Sequence, residues 1–178
     1  MDNLIEKKYI HVPKFLTKEE LNLLQPWCKN RAVSTVECDA MSPLAPSFYE
    51  DPFISSLLES KKETIEKISK LQLLPSYCYW RAYIHGSILK SHKDRGSCEV
   101  SVTINLDSCE SKWPIHMDGT WLDLDVGDAV LYMGCDVEHG RNPFEGRYCA
   151  QAFLHYVQKE GFFAHLAGDT FVKTTGVK

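Results

Sequence analysis

Three residues in the second half of the chain have the types and spacing of a metal site: His92, Asp94 and His139. In an extended segment successive side chains alternate between two faces, so His92 and Asp94 project to the same side. A histidine from another strand, His139, completes a set of two imidazoles and one carboxylate. This is the ligand set of a facial triad, which holds Fe(II) and leaves positions open for a co-substrate and O₂. The pattern therefore predicts a catalytic iron site rather than a closed structural one.

An arginine, Arg147, lies eight residues after His139. A planar guanidinium matches a carboxylate with two parallel hydrogen bonds. Arg147 opens the last predicted strand, where alternation places it on one face with Gln151 and His155. We expect this face to line the pocket and Arg147 to bind the carboxylate of a co-substrate. The alternative interpretation is a polar stripe that faces solvent.

The chain contains a second His-x-Asp triplet, His116-Met117-Asp118. Gly119 follows it directly, and Asp-Gly between alternating apolar residues is a strong signal for a hairpin turn. We therefore interpret Asp118 as a turn residue and do not assign this triplet to the metal. His85 and His155 have no carboxylate two residues away, and we interpret both as structural.

The elements that must position these residues are helical in the first part of the chain and extended in the rest. Thr17-x-x-Glu20 is a capping box for a helix that Pro26 is expected to bend or end. Asp51-Pro52 starts a helix of about five turns, which ends before Pro75. A short strand is predicted at 9–12 and a loop at 38–51. Further strands are predicted at 77–84, 99–106, 113–117, 120–126, 128–133 and 147–157.

Ser101 and Thr103 lie in the predicted strand 99–106, where polar residues alternate with valine and isoleucine. Two interpretations of this alternation remain open. The polar residues form either an exposed sheet face or a polar wall beneath the co-substrate. The second interpretation makes Ser101 and Thr103 candidate binding residues.

The composition is that of an ordinary globular protein. With 178 residues, of which 44% are hydrophobic and 25% charged, the chain is long enough for one domain with a proper core. The net charge is −4 and no run of adjacent basic residues is longer than a pair such as Lys61-Lys62, so we do not expect a nucleic-acid partner. No apolar run has the length of a membrane span, and the first residues lack a signal-peptide layout. The seven cysteines form no C-x-x-C pair, which is typical of reduced thiols in a cytoplasmic protein.

With these residues placed, the sequence resembles the Fe(II)/2-oxoglutarate-dependent dioxygenases, and most closely their prolyl 4-hydroxylase-like branch. Segment 9–21 is similar to the entry strand and first helix of that branch, and segment 81–95 to the part that carries the first two metal ligands. Segments 127–141 and 151–157 are similar to its distal half. The resemblance covers essentially the whole chain, and its specific motifs lie between residues 80 and 157.

The predicted elements and the resemblance together define the expected fold. Short strands with close turns indicate a sandwich or a jelly roll, with two helices packed on one outer face. The resemblance specifies this as a double-stranded β-helix core, in an α+β domain that is mostly β. We expect a single dioxygenase domain over residues 1–178, with helical support from residues 1–75 and the jelly-roll catalytic core at residues 76–160.

The resemblance also implies a site and a reaction. Tyr83 matches the family tyrosine that meets the far carboxylate of 2-oxoglutarate together with a basic residue. Arg147 matches that basic residue, but some relatives place it directly after the second histidine, so Arg141 competes with Arg147. The implied reaction is hydroxylation of an unactivated C–H bond, with Fe(II) as cofactor, 2-oxoglutarate and O₂ as co-substrates, and release of succinate and CO₂. Ascorbate is a further candidate cofactor.

The implied substrate is a peptide or protein, since the nearest resemblance is to prolyl hydroxylases. Alternatives are an oxygenase that acts on a small molecule, a cupin-like protein that binds metal and a small ligand without turnover, and a structural β-sandwich whose histidines never meet. Repair of alkylated nucleic acid is disfavoured by the net charge, and Arg141-Asn142-Pro143 does not reproduce the longer basic signature of those enzymes. The oligomeric state is left open.

Overall fold

The fold is described from a computed structural model over residues 3–32, 38, 42, 44–108 and 111–169. The α-helices in this part of the chain are α1 (Leu4–Lys7), α2 (Lys18–Ala32) and α3 (Pro52–Ser69). The predicted capping box starts α2, because the Thr17 N–H donates to the Glu20 carboxylate at 2.8 Å and the Glu20 N–H donates to Thr17 Oγ1 at 3.2 Å. The helix continues through Pro26 instead of ending at the proline.

Asp51 starts α3 and connects it to its neighbours. Its side chain accepts the Phe53 N–H at 3.0 Å, and Pro52 occupies the first helical position. The same buried carboxylate accepts the indole N–H of Trp27 at 2.9 Å and that of Trp80 at 3.1 Å. α3 is thereby fixed to α2 and to the sheet behind it.

The described residues contain ten strands in two antiparallel sheets. The larger sheet has six strands and the smaller sheet has four. The strands are β1 (Tyr9–Val12), β2 (Ser47–Tyr49), β3 (Leu73–Ile84), β4 (Leu89–His92), β5 (Val100–Ser108), β6 (Ile115–Met117), β7 (Thr120–Leu122), β8 (Ala129–Met133), β9 (His139–Arg141) and β10 (Tyr148–Gln158). The order in the larger sheet is β1-β8-β5-β10-β3-β2, and in the smaller sheet it is β4-β9-β6-β7.

One face of the larger sheet packs on α2 and α3 and forms the main core. Trp80, Leu154 and Tyr156 point to this side, and the Tyr156 hydroxyl donates to the Leu58 carbonyl of α3 at 2.6 Å. The alternate residues of the same strands, such as Tyr83, lie on the opposite face. On this face β9 of the smaller sheet contacts the larger sheet through Arg141 with Gln151 and through His139 with Tyr132. The helices therefore stabilise the sheet from outside, and its other face is left to build a site between the two sheets.

The hairpin between β6 and β7 turns at Asp118-Gly119, as predicted. The two residues have φ angles of 44° and 89°, as a tight two-residue turn requires. His116 Nε2 accepts the Gly119 N–H at 3.0 Å, and its ring centroid lies 5.1 Å from that of Trp121. The second His-x-Asp triplet is therefore part of this hairpin.

The predicted class, mostly β with helices in the N-terminal part, is confirmed. The short strands β4 and β9 were not predicted, and β2 lies inside the segment predicted as loop, of which residues 39–41 and 43 are outside the described residues. β3 begins at Leu73, earlier than predicted, because Pro75 lies beside a register shift against β10, where a missing N–H is tolerated. In the described residues, no helix is long and apolar enough to cross a membrane.

Candidate active site

The two candidate metal-binding histidines lie on neighbouring strands of the smaller sheet. β4 and β9 pair with His92 opposite His139, and the ring centroids are 4.3 Å apart. His92 Nδ1 lies 2.8 Å from the Lys90 carbonyl, and His139 Nδ1 lies 3.0 Å from the Val137 carbonyl. Because a carbonyl only accepts, each Nδ1 carries the proton, which leaves each Nε2 as the lone-pair nitrogen. Both imidazoles are thus held in the tautomer that binds a metal through Nε2.

Asp94 follows β4 and brings a carboxylate to the same point. Its backbone N–H donates to the Gly134 carbonyl at 2.9 Å, which fixes the segment after the strand. Its Oδ1 lies 3.5 Å from His92 Nε2 and 3.7 Å from His139 Nε2. The ligand atoms of the three residues lie within 4.8 Å of one another. The structure thus brings the predicted triad together, and two nitrogens and one carboxylate oxygen converge as a divalent iron site requires.

Gly134 leaves the space that Asp94 occupies. A Cβ atom at this position would lie 2.5 Å from Asp94 Oδ2 and 2.1 Å from the Cys98 carbonyl oxygen. Both distances are below van der Waals contact, so any side chain here would displace the carboxylate or the backbone beside it.

Burial and mutual charge set the protonation of the triad. Burial lowers the pKa of His139 and outweighs the opposing charge of Asp94. Burial acts in the same direction on His92, but its contacts with Asp94 and the Lys90 carbonyl raise the pKa of His92 overall. Burial alone would raise the pKa of Asp94, but the neighbouring histidines lower it. The carboxylate is therefore ionised at neutral pH beside a neutral His139, the forms that bind a divalent metal.

Arg141 enters the space between the sheets from β9, two residues after His139. The guanidinium is buried, with Nη1 donating to the Trp113 carbonyl and Nη2 donating to Gln151 Oε1 at 3.3 Å. Its Cζ also lies 4.9 Å from the centroid of the Trp113 ring. Burial lowers the pKa of Arg141. In the part of the chain that the structure describes, no carboxylate pairs with this cation.

Arg147 occupies a different place from the one predicted. It precedes β10 instead of opening it, and its side chain is exposed. The structure therefore does not place Arg147 in the predicted pocket. The strand alternation that would turn the side chain inward begins only at Tyr148, after the chain has left the turn between β9 and β10.

The other predicted co-substrate residues lie on the inward face of the larger sheet. Tyr83 is fully buried, with its ring edge-on to Trp113 at a centroid distance of 4.6 Å, so that Trp113 contacts both Tyr83 and Arg141. The Thr103 hydroxyl is buried and has no hydrogen-bond partner among the described residues. The Ser101 hydroxyl is already engaged, since it donates to Asp94 Oδ2 at 2.9 Å. Thr103 therefore retains hydrogen-bonding capacity for a ligand, whereas Ser101 contacts Asp94, a candidate metal ligand.

His155 was expected to be structural, but it reaches the site. Its Nδ1 lies 2.9 Å from the Ser101 hydroxyl, and burial lowers the pKa of His155 to about 4. The signal for this position is the polar stripe at alternate positions of β10, where Gln151 and His155 both face inward. The stripe alone does not identify the residue that each side chain contacts, because those partners lie on β5 and β9.

No protein-family model matches the chain, and no curated protein is similar to it in sequence. Solved structures are similar to it in fold. A Pseudomonas putida prolyl-4-hydroxylase has a TM-score of 0.71 at 17% identity, covering 87% of this chain and 95% of that one. The viral collagen prolyl hydroxylase of Paramecium Bursaria Chlorella virus-1, in complex with 2-oxoglutarate, has a TM-score of 0.64 at 12% identity, covering 84% and 95%. HygX from Streptomyces hygroscopicus, with nickel and 2-oxoglutarate bound, has a TM-score of 0.68 at 10% identity, covering 86% and 84%.

The chain has the fold of the 2-oxoglutarate-dependent oxygenases. This confirms the double-stranded β-helix predicted from the sequence, and the prolyl hydroxylases among the neighbours agree with the branch that the sequence resembles. Within this fold, the two candidate histidines lie on the smaller sheet and Asp94 follows β4. Arg141 lies on β9, two residues after His139. The sequence identities are low, so the assignment of individual residues depends on the geometry of this chain.

Proposed function

We propose that the protein is an Fe(II)- and 2-oxoglutarate-dependent dioxygenase that hydroxylates an unactivated C–H bond with release of succinate and CO₂. The observation that carries this proposal is the position of Arg141. Its guanidinium is buried on the same strand as His139, and in the described residues it has no carboxylate partner. An uncompensated buried charge costs several kcal/mol, so this cation is suited to an anionic ligand that arrives from outside.

His92, Asp94 and His139 would hold the iron. Their donor atoms fit it, because two Nε2 atoms and Asp94 Oδ1 converge while the Nδ1 protons bind backbone carbonyls. Three protein ligands leave coordination positions for a chelating co-substrate and O₂. Bound iron supplies the activation of O₂, with oxidative decarboxylation of 2-oxoglutarate as the source of electrons.

The remaining groups would bind and orient the co-substrate. Arg141 is placed to take the distal carboxylate with two parallel hydrogen bonds, as Arg147 on the surface is not. Tyr83 and Thr103 lie on the inward face of the larger sheet and would add hydroxyl groups to the same pocket. Because Arg141, Tyr83 and Thr103 are all buried, an ion pair with Arg141 would be stronger than one at the surface.

The same observation separates this proposal from a cupin-like protein that binds metal without turnover. A site that binds only a metal requires the triad and the groups that orient it. It does not require a buried guanidinium. Arg141 therefore favours a metal site with an acidic co-substrate over a metal site alone.

For the substrate, we propose a peptide or protein. This extends the resemblance to prolyl hydroxylases, one of which, from Trichoplax adhaerens, was solved with a peptide fragment at a TM-score of 0.68 and 12% identity. A small molecule is the second candidate, because HygX was also solved with hygromycin B. Measuring succinate release with proline-containing peptides and with small hydroxylated or amino compounds separates the two classes.

We further propose a cytoplasmic protein that uses ascorbate as an accessory reductant. The described cysteines form no disulfide with one another, which is typical of a reducing compartment, and such a compartment keeps iron ferrous. Omitting ascorbate from the assay should lower the number of turnovers per enzyme. Nucleic acid remains outside the proposal because of the net charge of −4.

The decisive experiment is an anaerobic titration of the iron-loaded protein with 2-oxoglutarate. Chelation by the keto acid should produce a metal-to-ligand charge-transfer band. Metal uptake without that band would identify the cupin-like alternative. Absence of metal uptake would identify a structural sandwich and would contradict the proposed function.

A further inference from the structure

The Asp94 carboxylate has two oxygens, and the structure uses them differently. Oδ1 faces the two histidine Nε2 atoms, at 3.5 Å from His92 and 3.7 Å from His139. Oδ2 points the other way, toward the larger sheet, and accepts the Ser101 hydroxyl at 2.9 Å. The Ser101 hydroxyl lies 2.9 Å from His155 Nδ1 and 3.0 Å from the Cys98 carbonyl. A continuous chain of hydrogen bonds therefore runs from Asp94 through Ser101 to His155.

The direction of this chain follows from its ends. A carboxylate and a backbone carbonyl can only accept, so the single Ser101 proton is directed toward them. The Ser101 oxygen must then act as acceptor toward His155, and His155 must carry its proton on Nδ1. The opposite tautomer would place two lone pairs face to face at 2.9 Å. His155 thus donates to Ser101, and Ser101 donates to Asp94.

The His155 ring is fixed in place by its surroundings. It lies directly opposite Ser101 in the pairing of β10 with β5, and the residue is 3% exposed. The ring centroid lies 4.6 Å from that of Tyr77 and 5.7 Å from that of Tyr79, in stacked orientations. A ring that is stacked and buried in this way cannot turn away from Ser101 without opening the space between the sheets.

We propose that Ser101 and His155 are positioning residues that hold Asp94 as a monodentate metal ligand. With Oδ2 occupied by Ser101, only Oδ1 is presented to the metal. A metal bound at this site would then take a single oxygen from Asp94, while Oδ2 would stay with Ser101. The inference rests on the proposed function, because it assigns roles to residues behind the same metal site.

A second metal site in this region is the competing interpretation, since Asp94, Cys98 and His155 also offer donor atoms within 4.8 Å of one another. Two observations count against it. The Ser101 hydroxyl already lies between Asp94 Oδ2 and His155 Nδ1, at 2.9 Å from each. Cys98 Sγ is also engaged, at 3.0 Å from the Tyr77 hydroxyl. The hydrogen-bond chain accounts for the same cluster without a second ion.

The test measures Co²⁺ affinity without O₂ in variants of the two residues. Ser101→Ala removes one oxygen, and His155→Phe keeps a stacked ring without the Nδ1 donor. Both should weaken Co²⁺ binding by about 10- to 100-fold and change the visible spectrum of the bound Co²⁺. Ser101→Thr and His155→Asn each retain the required hydrogen-bonding group and should recover most of the affinity.

Ser76→Ala is the matched control. Ser76 is also a buried serine of the larger sheet, but its hydroxyl donates to the Leu166 carbonyl at 3.1 Å and does not contact the triad. This variant should bind Co²⁺ as the wild type does. If His155→Phe does not fold, Ser101→Ala alone tests the positioning role. This substitution removes a single oxygen atom and leaves the backbone pairing of β5 intact.

The outcomes separate this inference from the proposed function. Wild-type affinity and spectrum in both Ser101→Ala and His155→Phe would overturn the positioning role while leaving the metal site in place. Absence of Co²⁺ binding by the wild-type protein would overturn the proposed function and this inference together. An additional charge-transfer band that disappears in Cys98→Ser would overturn the positioning role in favour of a thiolate-ligated second site.

Discussion

His92 and His139 are direct cross-strand partners in the smaller sheet, with their ring centroids 4.3 Å apart. The register of β4 against β9 therefore places one imidazole beside the other without help from a loop. Asp94 completes the set from the segment that leaves β4, where the Gly134 carbonyl holds its backbone N–H at 2.9 Å. A metal site built on paired strands is more rigid than one built on loops, and rigid placement is what a ligand set with unfilled positions requires.

Alanine at His92, Asp94 or His139 should abolish binding of Fe(II) or Co²⁺, because each removes one of three ligands. Isothermal titration calorimetry without O₂ measures this loss. His116→Ala is the matched control, since His116 is also followed by an aspartate two residues later but serves the β6–β7 hairpin. Loss of metal binding in His116→Ala with retention in His92→Ala would show that the wrong triplet is assigned.

Arg141→Ala should weaken 2-oxoglutarate binding by about 2–4 kcal/mol, or roughly 30- to 1000-fold, because a buried carboxylate would lose its counterion. Metal affinity should change little. The affinity of Arg141→Lys for 2-oxoglutarate should lie between those of the wild type and Arg141→Ala, since an ammonium keeps the charge but not the paired hydrogen bonds. Fluorescence or calorimetric titration of the metal-loaded protein measures the effect.

Arg147→Ala is the control for the Arg141 variants, because it makes the same change on an exposed side chain. Its affinity for 2-oxoglutarate should equal that of the wild type. If Arg147→Ala lost affinity for 2-oxoglutarate and Arg141→Ala did not, Arg147 would be the residue that binds the carboxylate. Unchanged affinity in both variants would contradict the 2-oxoglutarate assignment itself.

Tyr83→Phe should weaken 2-oxoglutarate binding by about 1 kcal/mol, the scale of one hydrogen bond, or roughly fivefold. The ring and its edge-on contact with Trp113 at 4.6 Å are kept, so folding stability should be nearly unchanged. The same titration measures the effect. An unchanged dissociation constant would remove Tyr83 from the co-substrate site.

Gly134→Ala should weaken metal binding at least tenfold, because the new Cβ would lie 2.5 Å from Asp94 Oδ2. Strain against the Cys98 carbonyl should also lower the free energy of unfolding by about 1–3 kcal/mol. Gly161→Ala is the matched control, since its Cβ would lie 2.8 Å from Gln158 Cβ, in contact with none of the triad residues. That variant should lose stability and keep its metal affinity. Full metal affinity in Gly134→Ala would show that Asp94 tolerates displacement.

Asp128 should stabilise the attachment of β1 in a pH-dependent way. Burial opposes its charge, but the Lys14 N–H at 2.8 Å and the His11 ring at 2.9 Å lower the pKa of Asp128 below 3.8. A lowered folded-state pKa means that the stabilisation is present above pH 3.8 and is lost as the pH falls through the folded pKa. Asp128→Asn should therefore cost about 1–3 kcal/mol at neutral pH. Urea unfolding measures the difference in free energy of unfolding between this variant and the wild type. This difference should become smaller in acid, and a difference that does not change with pH would contradict this role.

Several features were predictable from the sequence because they depend on neighbours along the chain. The capping box at Thr17 and Glu20, the start of α3 at Asp51 and the turn at Asp118-Gly119 all involve groups within three residues of one another. The triad could be proposed for a similar reason, since the alternation that puts His92 and Asp94 on one side is local. These signals are strong because they do not depend on residues that are distant in the sequence.

The strands that carry the two candidate metal-binding histidines were missed because they are only four and three residues long. β4 includes Lys90 and Ser91, which break the apolar alternation that indicates a strand. What makes these segments strands is their pairing with each other, across almost fifty residues of chain. Such pairing is a property of the tertiary structure, and the sequence of either segment alone gives little indication of it.

The sequence by itself determined the fold class, and it suggested the triad residues and a basic residue after His139. Only the tertiary structure placed Arg141 inside and Arg147 outside, and only it joined His155 through Ser101 to Asp94. The physical reason is that side-chain alternation is local and stops at a turn, as it does between β9 and β10. Burial and hydrogen-bond partners depend instead on strand register, which is set between residues far apart in the chain.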